Sequence, residues 1–156
     1  MSSVDVTTTI VITRPRDLVA SYSADPGNVP AWYMNIKAVE WPRGSRPQVG
    51  ARATFSAQFL GRHLNYTYEI VDFVPGERLV MRTAEGPFPM ETTYVWRDGP
   101  STGSTTMTLR NRGDPKGFFR LMAPVMARAV RHANRQDLER LKQLLEAKPN
   151  LPSASA

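Results

Sequence analysis

The feature that most constrains the fold is a long amphipathic segment late in the chain, residues 117–145, which reads GFFRLMAPVMARAVRHANRQDLERLKQLL. At 3.6 residues per turn, its apolar side chains fall on one stripe of a helix. The stripe contains Met122, Ala123, Met126, Ala127, Val130, Ala133, Leu138, Leu141 and Leu145. A helix of roughly 30 residues extends about 45 Å, so it needs a broad apolar surface to cover.

Two polar residues, Asn134 and Asp137, are set into this apolar stripe. A buried polar group without a partner costs on the order of 1–3 kcal/mol, so we expect each side chain to be hydrogen-bonded. For Asp137 we favour a structural hydrogen bond to a sheet edge or a nearby arginine. Asn134 lies nearer the middle of the helix and is the better candidate for contact with a ligand.

The N-terminal part of the chain predicts one strand and two short helices. Alternating apolar and polar residues in VDVTTTIVIT indicate a half-buried strand. RPRDLVASYSADP indicates a helix with Pro15 in its first turn, ending at Asp25-Pro26. NVPAWYMNI indicates a second helix, with Asn28 as its cap and Pro30 in its first turn.

Between these helices and residue 112 the sequence predicts six antiparallel strands with one shared apolar face. A tight turn at residues 60–61 pairs Phe55 with Tyr66 and Ala53 with Tyr68, so that their apolar faces coincide. Three further pairs continue the same face: Ile70 with Met81, Met81 with Met90, and Tyr94 with Met107. The loop at Pro75-Gly76 is critical, because one more residue there would turn Arg82 inward in place of Met81.

The helix stripe is uneven in size along its length. Its last third is leucine, whereas its first two-thirds are alanine, methionine and valine, facing tyrosines and methionines of the sheet. Either the side chains interdigitate to fill this space, as dense packing of native cores favours, or an internal cavity remains. The residues alone leave both arrangements open.

Composition excludes several kinds of site. The chain has no cysteine, which excludes disulfides and thiolate chemistry. The net charge of +6 is spread over the chain without a dense basic run, so we expect no nucleic-acid partner. His63 and His132 fall on the polar sides of their elements and cannot converge, so we expect no metal and no cofactor. Without a signal-like N-terminus or an apolar span, we expect a cytoplasmic protein with no stable membrane insertion.

The order of elements and four local segments resemble the START-like superfamily (SRPBCC). The segments are ITRPRDLVASYSADPGNVPAW, YEIVDFVPGERLVMRT, GSTTMTLRNRG and APVMARAVRHANRQDLERLKQLLE. Together they extend the resemblance over residues 4–146, most closely to the bacterial polyketide cyclase/dehydrase and lipid-transport group. The resemblance implies an α+β helix-grip (START-like, birch-pollen-allergen-like) fold with the order β-α-α-β6-α. In that fold a curved antiparallel sheet wraps around the C-terminal helix, forming one domain over residues 1–146; we expect residues 147–156 to be a disordered tail.

The resemblance also shifts the balance toward a cavity that binds a lipid-like, quinone or aromatic polyketide-like molecule, in a carrier or a sensor. The predicted ligand-binding residues are Trp32, Phe55, Tyr66, Tyr68, Met81, Met90, Tyr94, Met107, Met122, Met126 and Asn134. Family analogy places Trp32 and Tyr33 near the mouth of the cavity. With Phe118, Phe119 and Leu121 they would gate entry or form a homodimer surface, and Pro124 predicts a kink at this end of the helix.

Two alternatives remain from the sequence. One is a polyketide cyclase or dehydratase without a cofactor, in which Tyr66, Tyr68 and Tyr94 donate protons and an inward Arg82 steadies an enolate. For Arg82 we favour the simpler interpretation, an exposed cross-strand pair with Glu91. The other alternative is a protein-interaction module with a filled core. No residue is assigned a catalytic role.

Overall fold

The computed structural model describes residues 4–59, 61–116 and 118–147. The strands are β1 (Val4–Ile12), β2 (Ile36–Glu40), β3 (Arg52–Phe59), β4 (Arg62–Val74), β5 (Arg78–Glu85), β6 (Met90–Asp98) and β7 (Thr105–Gly113). The helices are α1 (Arg16–Ala24), α2 (Val29–Trp32), α3 (Phe118–Leu121) and α4 (Ala123–Ala147), and a 3-10 turn spans Pro26–Asn28. The predicted helix-grip fold is confirmed. Residues 148–156, which belong to the predicted tail, lie outside the described residues.

The seven strands form one curled antiparallel sheet in the order β1-β7-β6-β5-β4-β3-β2. Strands β2 to β7 follow one another as neighbours, and β1 joins the far side by pairing with β7. In β1 the predicted alternation holds, since Val4, Val6 and Ile12 are buried while Asp5 is exposed. The sheet therefore presents one continuous apolar face to the helices.

Several predicted registers are confirmed. Phe55 pairs with Tyr66 and Ala53 pairs with Tyr68. The hairpin around Pro75-Gly76 closes with Val74 opposite Arg78, and a register shift between Ile70 and Asp72 then sets Ile70 opposite Met81. Met81 is buried and Arg82 is exposed.

Two predicted registers are wrong by two residues. Met81 lies opposite Thr92 rather than Met90. Tyr94 lies opposite Leu109, because the next turn closes with Asp98 facing Thr105. A shift of two residues keeps each side chain on its predicted face, since strand side chains alternate with a period of two.

The single helix predicted for residues 117–145 is wrong at its start. Helix α3 ends at Leu121, Met122 forms a turn, and α4 begins at Ala123. Pro124 explains the break: its ring nitrogen has no hydrogen to donate, and proline is tolerated in a first turn. From there α4 follows the predicted pattern, with Arg128 and Arg135 exposed and with Asn134 and Asp137 among its buried residues.

The two short N-terminal helices pack against the sheet, and α2 also contacts α4. Buried Trp96 of β6 donates its indole N–H to Ser23 Oγ of α1 at 2.9 Å, which fixes that helix on the sheet. Asn28 precedes α2 as predicted, but it does not cap the helix with its side chain. Instead its Nδ2 donates to the carbonyl oxygen of Tyr22 at 3.1 Å. Among the described residues, no helix is long and apolar enough to cross a membrane.

The buried side chains separate into two groups. The larger group packs around the C-terminal half of α4 and includes Trp96, Met107, Leu138 and Leu141. The smaller group contains Val4, Val6, Phe88 and Met126, next to the N-terminal half of α4. The leucine-rich third of the helix is thus the densely packed part, as the uneven stripe suggested.

Candidate functional site

A cavity of about 130 Å³ lies between the sheet and the first half of α4. For comparison, an apolar cavity of about 150 Å³ engineered in another protein holds one benzene molecule. Small side chains on the helix create this space: Ala133 and Val130 face Met81, Tyr66 and Tyr68 of the sheet. The cavity is therefore large enough to enclose one aromatic ring.

Eight of the predicted site residues line the cavity: Phe55, Tyr66, Tyr68, Met81, Met90, Tyr94, Met126 and Asn134. Three predicted residues lie elsewhere. Trp32 and Met107 have no exposed surface and belong to the larger core, so Trp32 is not at a cavity mouth. Met122 packs against the smaller group, beside the break between α3 and α4.

Three aromatic rings form one wall of the cavity. The register between β3 and β4 brings Phe55 beside Tyr66 and Tyr68, with ring centroids 6.4 and 5.9 Å away. The two tyrosine rings meet edge to face at 5.4 Å. Burial raises the pKa of both phenols, that of Tyr68 to about 12. Both hydroxyls are therefore neutral at physiological pH.

A pair of tyrosine hydroxyls lies at the end of the cavity next to α2. The Oη atoms of Tyr33 and Tyr94 are 2.5 Å apart. Trp32 supports both rings, with centroid distances of 4.5 Å to Tyr33 and 5.8 Å to Tyr94. Burial raises the pKa of both phenols, so the pair stays protonated at neutral pH.

A chain of polar groups crosses from the sheet to the helix. Thr92 Oγ1 donates to Asn111 Oδ1 at 2.7 Å, and Asn111 Nδ2 donates to Asn134 Oδ1 at 2.8 Å. Asn134 is 3% exposed, and its Nδ2 has no hydrogen-bond partner in the described part of the chain. The expected hydrogen bond of Asn134 therefore exists, but it satisfies the oxygen alone.

Asp137 also lines the cavity, and its expected structural hydrogen bond comes from an unexpected donor. Its Oδ1 accepts from the backbone N–H of Met34 at 2.8 Å, in the connection between α2 and β2. Burial raises the pKa of this carboxyl to about 7, against the lowering effects of the Met34 N–H and the Arg140 charge. Arg140 itself donates to the carbonyl oxygen of Ala31. Asp137 can therefore change its charge near neutral pH.

Arg82 faces solvent and forms the exposed cross-strand pair with Glu91 that we favoured. It lies opposite Glu91, and its Nε donates to Glu91 Oε2 at 2.7 Å. Its side chain is 63% exposed, so it cannot contact a group inside the cavity. His63 and His132 are exposed, and within the described ranges no three His, Asp or Glu side chains converge on a metal position.

The start of the C-terminal helices, which we predicted to gate entry or form a dimer surface, lies only partly within the described residues. Leu121 is 84% exposed, whereas the side chains of Phe118 and Phe119 lie outside the described structure. Phe88, in the connection between β5 and β6, is 5% exposed and lines the cavity. It also borders a second depression that the same connection forms with Lys116.

The sequence prediction missed Thr92 and Asn111 in the cavity wall. Strand alternation could have found them, because Thr92 shares the face of Met90 and Tyr94, and Asn111 shares the face of Leu109. Both side chains are polar, and the apolar periodicity of a strand gives no signal for a polar side chain on its inner face. Tyr33, which family analogy placed near the mouth, is half-buried and lines the cavity, and its hydroxyl is hydrogen-bonded to that of Tyr94.

Comparison with known proteins gives one family and several similar folds. Residues 3–146 match the family model described as polyketide cyclase / dehydrase and lipid transport. The sequence has no match among curated proteins.

Three solved structures represent the similar folds, each at an identity that supports fold similarity alone. A protein from Thermus thermophilus, TTHA0849, has a TM-score of 0.79 at 17% identity, covering 94% of this chain and 99% of its own. The Zhui aromatase/cyclase of Streptomyces sp. R1128 has a TM-score of 0.77 at 18% identity, covering 94% of this chain and 95% of its own. A START superfamily protein from Mycobacterium smegmatis has a TM-score of 0.66 at 16% identity, covering 92% of this chain and 95% of its own.

Proposed function

The chain belongs to the polyketide cyclase / dehydrase and lipid transport family, and on that basis we propose that it binds a hydrophobic small molecule between the sheet and α4. The ligand is lipid-like, a quinone or an aromatic polyketide-like molecule, and the protein acts as its carrier or sensor. The family and the fold support hydrophobic binding in general, while the ligand class and the biological role belong to the proposal.

The observation that carries this proposal is the unfilled space of about 130 Å³ between the sheet and α4. Native interiors pack densely, and an apolar void forfeits the contacts that a filled core would make. Here the void lies beside Ala133, where a larger helix residue would close it. Retaining small residues at this place is understandable if a ligand supplies the missing contacts.

The size of the cavity limits which classes of ligand it can hold. One ring fits within the cavity volume, and the aromatic wall of Phe55, Tyr66 and Tyr68 offers edge and face contacts to it. A ring-containing ligand is therefore favoured over a long saturated chain held entirely inside.

Native mass spectrometry tests the proposal directly. Gently purified protein would be measured alone and with a panel of fatty acids, quinones and aromatic polyketides, and we expect a selective one-to-one adduct. Ala133→Leu fills the space and should abolish the adduct while the protein stays folded. Ala38→Leu makes the same change at an exposed position of β2 and should leave the adduct intact.

Two results would contradict ligand binding in this cavity. The first is wild-type protein that forms no adduct with any member of the panel. The second is an adduct that survives in Ala133→Leu, because the ligand would then be bound elsewhere. The first result would favour the interaction module with a filled core.

The enzyme alternative, a polyketide cyclase or dehydratase, is favoured by the positions of Tyr66, Tyr68 and Tyr94 on the cavity wall. Their pKa values are all raised, so each keeps its proton and can donate a hydrogen bond at neutral pH. Turnover of a poly-β-ketone substrate that is pH-dependent and lost in Tyr→Phe variants would support it. Ligand binding with unchanged substrate over many hours would leave the carrier or sensor role.

The remaining expectations stay predictions. They are the cytoplasmic location, the absence of a nucleic-acid partner and the homodimer. Size-exclusion chromatography with light scattering tests the last of these, and Leu121→Glu should weaken the dimer if the exposed start of the C-terminal helices forms the contact.

A further inference from the structure

We propose that the ligand carries a neutral carbonyl group, whose oxygen accepts a hydrogen bond from Asn134 Nδ2 inside the cavity. This inference rests on the proposed function and makes it more specific: among the ligand classes considered, it selects ketones and quinones, or esters and amides of similar size, over hydrocarbons and carboxylates. Asn134 becomes the residue that selects the polar group of the ligand.

The first support is the unsatisfied donor itself. Asn134 lines the cavity, is 3% exposed, and has an Nδ2 without a partner in the described residues. Buried amide groups are normally hydrogen-bonded, so an unpaired donor at a cavity wall indicates a partner that comes with the ligand. Apolar contacts alone would leave this donor unsatisfied, whereas a ligand oxygen would satisfy it.

The direction of the polar chain explains why a donor faces the cavity. The hydroxyl of Thr92 donates to the Asn111 oxygen, and the Asn111 amide donates to the Asn134 oxygen. Each amide oxygen is thereby occupied by the preceding donor. The end of the chain is the Asn134 NH2 group, which can only donate. The matching ligand atom is an acceptor.

Charge around the cavity selects against an anionic acceptor. Asp137 lies three residues after Asn134 on the same buried side of α4, and it contributes a carboxyl group to the wall. Arg112 is the cation that reaches the wall, but its side chain is 53% exposed and its Nη1 lies 3.7 Å from Glu91 Oε1. A bound carboxylate would therefore lose its hydration beside a second carboxyl, without a buried cation to compensate.

The hydroxyls of Tyr33, Tyr68 and Tyr94 in the wall already take part in hydrogen bonds. Tyr33 and Tyr94 hydrogen-bond to each other, and the Tyr68 hydroxyl lies 3.3 Å from Thr92 Oγ1. A one-ring ligand that rests against Phe55 and Tyr68 can direct its carbonyl toward α4, where the unpaired donor of Asn134 lies.

Three one-ring probes of similar size test the inference: acetophenone with a neutral carbonyl, ethylbenzene without a polar group, and benzoate as an anion. Calorimetric titrations at pH 8 would give Kd values for wild type and Asn134→Leu. The informative quantity is the ratio of the ethylbenzene Kd to the acetophenone Kd, because it cancels changes in cavity shape. We expect Asn134→Leu to lower this ratio about fivefold, the worth of one hydrogen bond.

Two further variants keep the test interpretable. Asn134→Leu leaves Asn111 Nδ2 without its acceptor, so Asn111→Leu/Asn134→Leu removes both partners and should fold if the single variant does not. Asn65→Leu makes the same side-chain change at an exposed position of β4 and should leave the ratio unchanged. Thermal unfolding of each variant verifies that the fold is intact before titration.

The outcomes separate this inference from the proposed function. If ethylbenzene and acetophenone both bind but their ratio is the same in wild type and variants, the carbonyl contact is refuted while hydrophobic binding stands. If benzoate binds wild type more tightly than acetophenone, selection of a neutral group is refuted. If none of the three probes binds, the one-ring site between the sheet and α4 is refuted, and the inference is refuted with it.

Discussion

Replacing Asp137 with asparagine should stabilise the protein, and by more at high pH than at low pH. Asp137 is 3% exposed, and burial raises the pKa of its carboxyl to about 7 from an ordinary 3.8. The substitution keeps an oxygen that can accept from the Met34 N–H at the same position. It removes the charge that wild type must bury when the carboxyl ionises, and it places an NH2 group where the second oxygen was.

The sign follows from proton binding. An acid whose pKa is raised by folding binds its proton more tightly in the folded state, so raising the pH removes stability. The loss begins near pH 4, where the unfolded carboxyl ionises, and is complete above about pH 7. At about 1.4 kcal/mol per pH unit, the full effect is about 4 kcal/mol.

The charged and titratable groups facing Asp137 do not change over this range. The phenols of Tyr33, Tyr66 and Tyr94 all have raised pKa values and stay protonated. The charge of Arg140 lowers the pKa of Asp137, and the guanidinium group of arginine does not lose its proton in proteins. Asp137 is thus the member of this cluster whose charge changes between pH 5 and pH 8.

Urea unfolding at pH 5, 6, 7, 8 and 9 measures the effect in wild type and Asp137→Asn. The stability of the variant relative to wild type should rise by about 2–3 kcal/mol between pH 5 and pH 7, and should level off above pH 8. Asp114→Asn changes an exposed carboxyl and provides the control for general effects of charge. A difference between variant and wild type that is constant with pH, or that falls as pH rises, would refute the buried-charge explanation.

Two further predictions follow from the corrected positions of predicted site residues. Trp32→Ala should lower the free energy of unfolding by about 3–5 kcal/mol in urea titrations, because Trp32 is a core residue; an altered ligand preference with unchanged stability would instead place it at the cavity. Arg82→Gln should change stability by less than about 1 kcal/mol and leave the ligand adduct intact, because its ion pair with Glu91 is exposed. Loss of the adduct in Arg82→Gln would show that this arginine reaches the ligand after all.

Much of the fold follows from sequence periodicity and hairpin geometry. The length of the turn after Phe59 determines that Phe55 meets Tyr66, and a period of two then assigns the faces of both strands. The same rule explains why two strand registers were predicted wrongly. A two-residue shift, such as Met81 opposite Thr92, leaves every face unchanged and so leaves no contradiction in the pattern.

The site was less predictable than the fold, for two physical reasons. Trp32 was placed by family analogy, and the packing of α2 on the sheet and on α4 buries it completely, which its local sequence does not reveal. The donor of Asn134 becomes significant only because Asn111, 23 residues earlier in the chain, occupies its oxygen. This contact depends on the position of α4 along β7, and sequence periodicity gives no information about that position.

The position of β1 has a consequence for the order of folding. Strands β2 to β7 can form as successive hairpins while the chain is made, since each pairs with its neighbour in sequence. The first strand must wait, because its partners are β7 and α4, and the Thr13 N–H bonds to a carboxylate 133 residues later. Such distant pairings slow folding. Until β7 and α4 have been synthesised, the growing chain therefore carries a first strand whose apolar side is uncovered. Helix α4, which covers the cavity, then covers this strand as well.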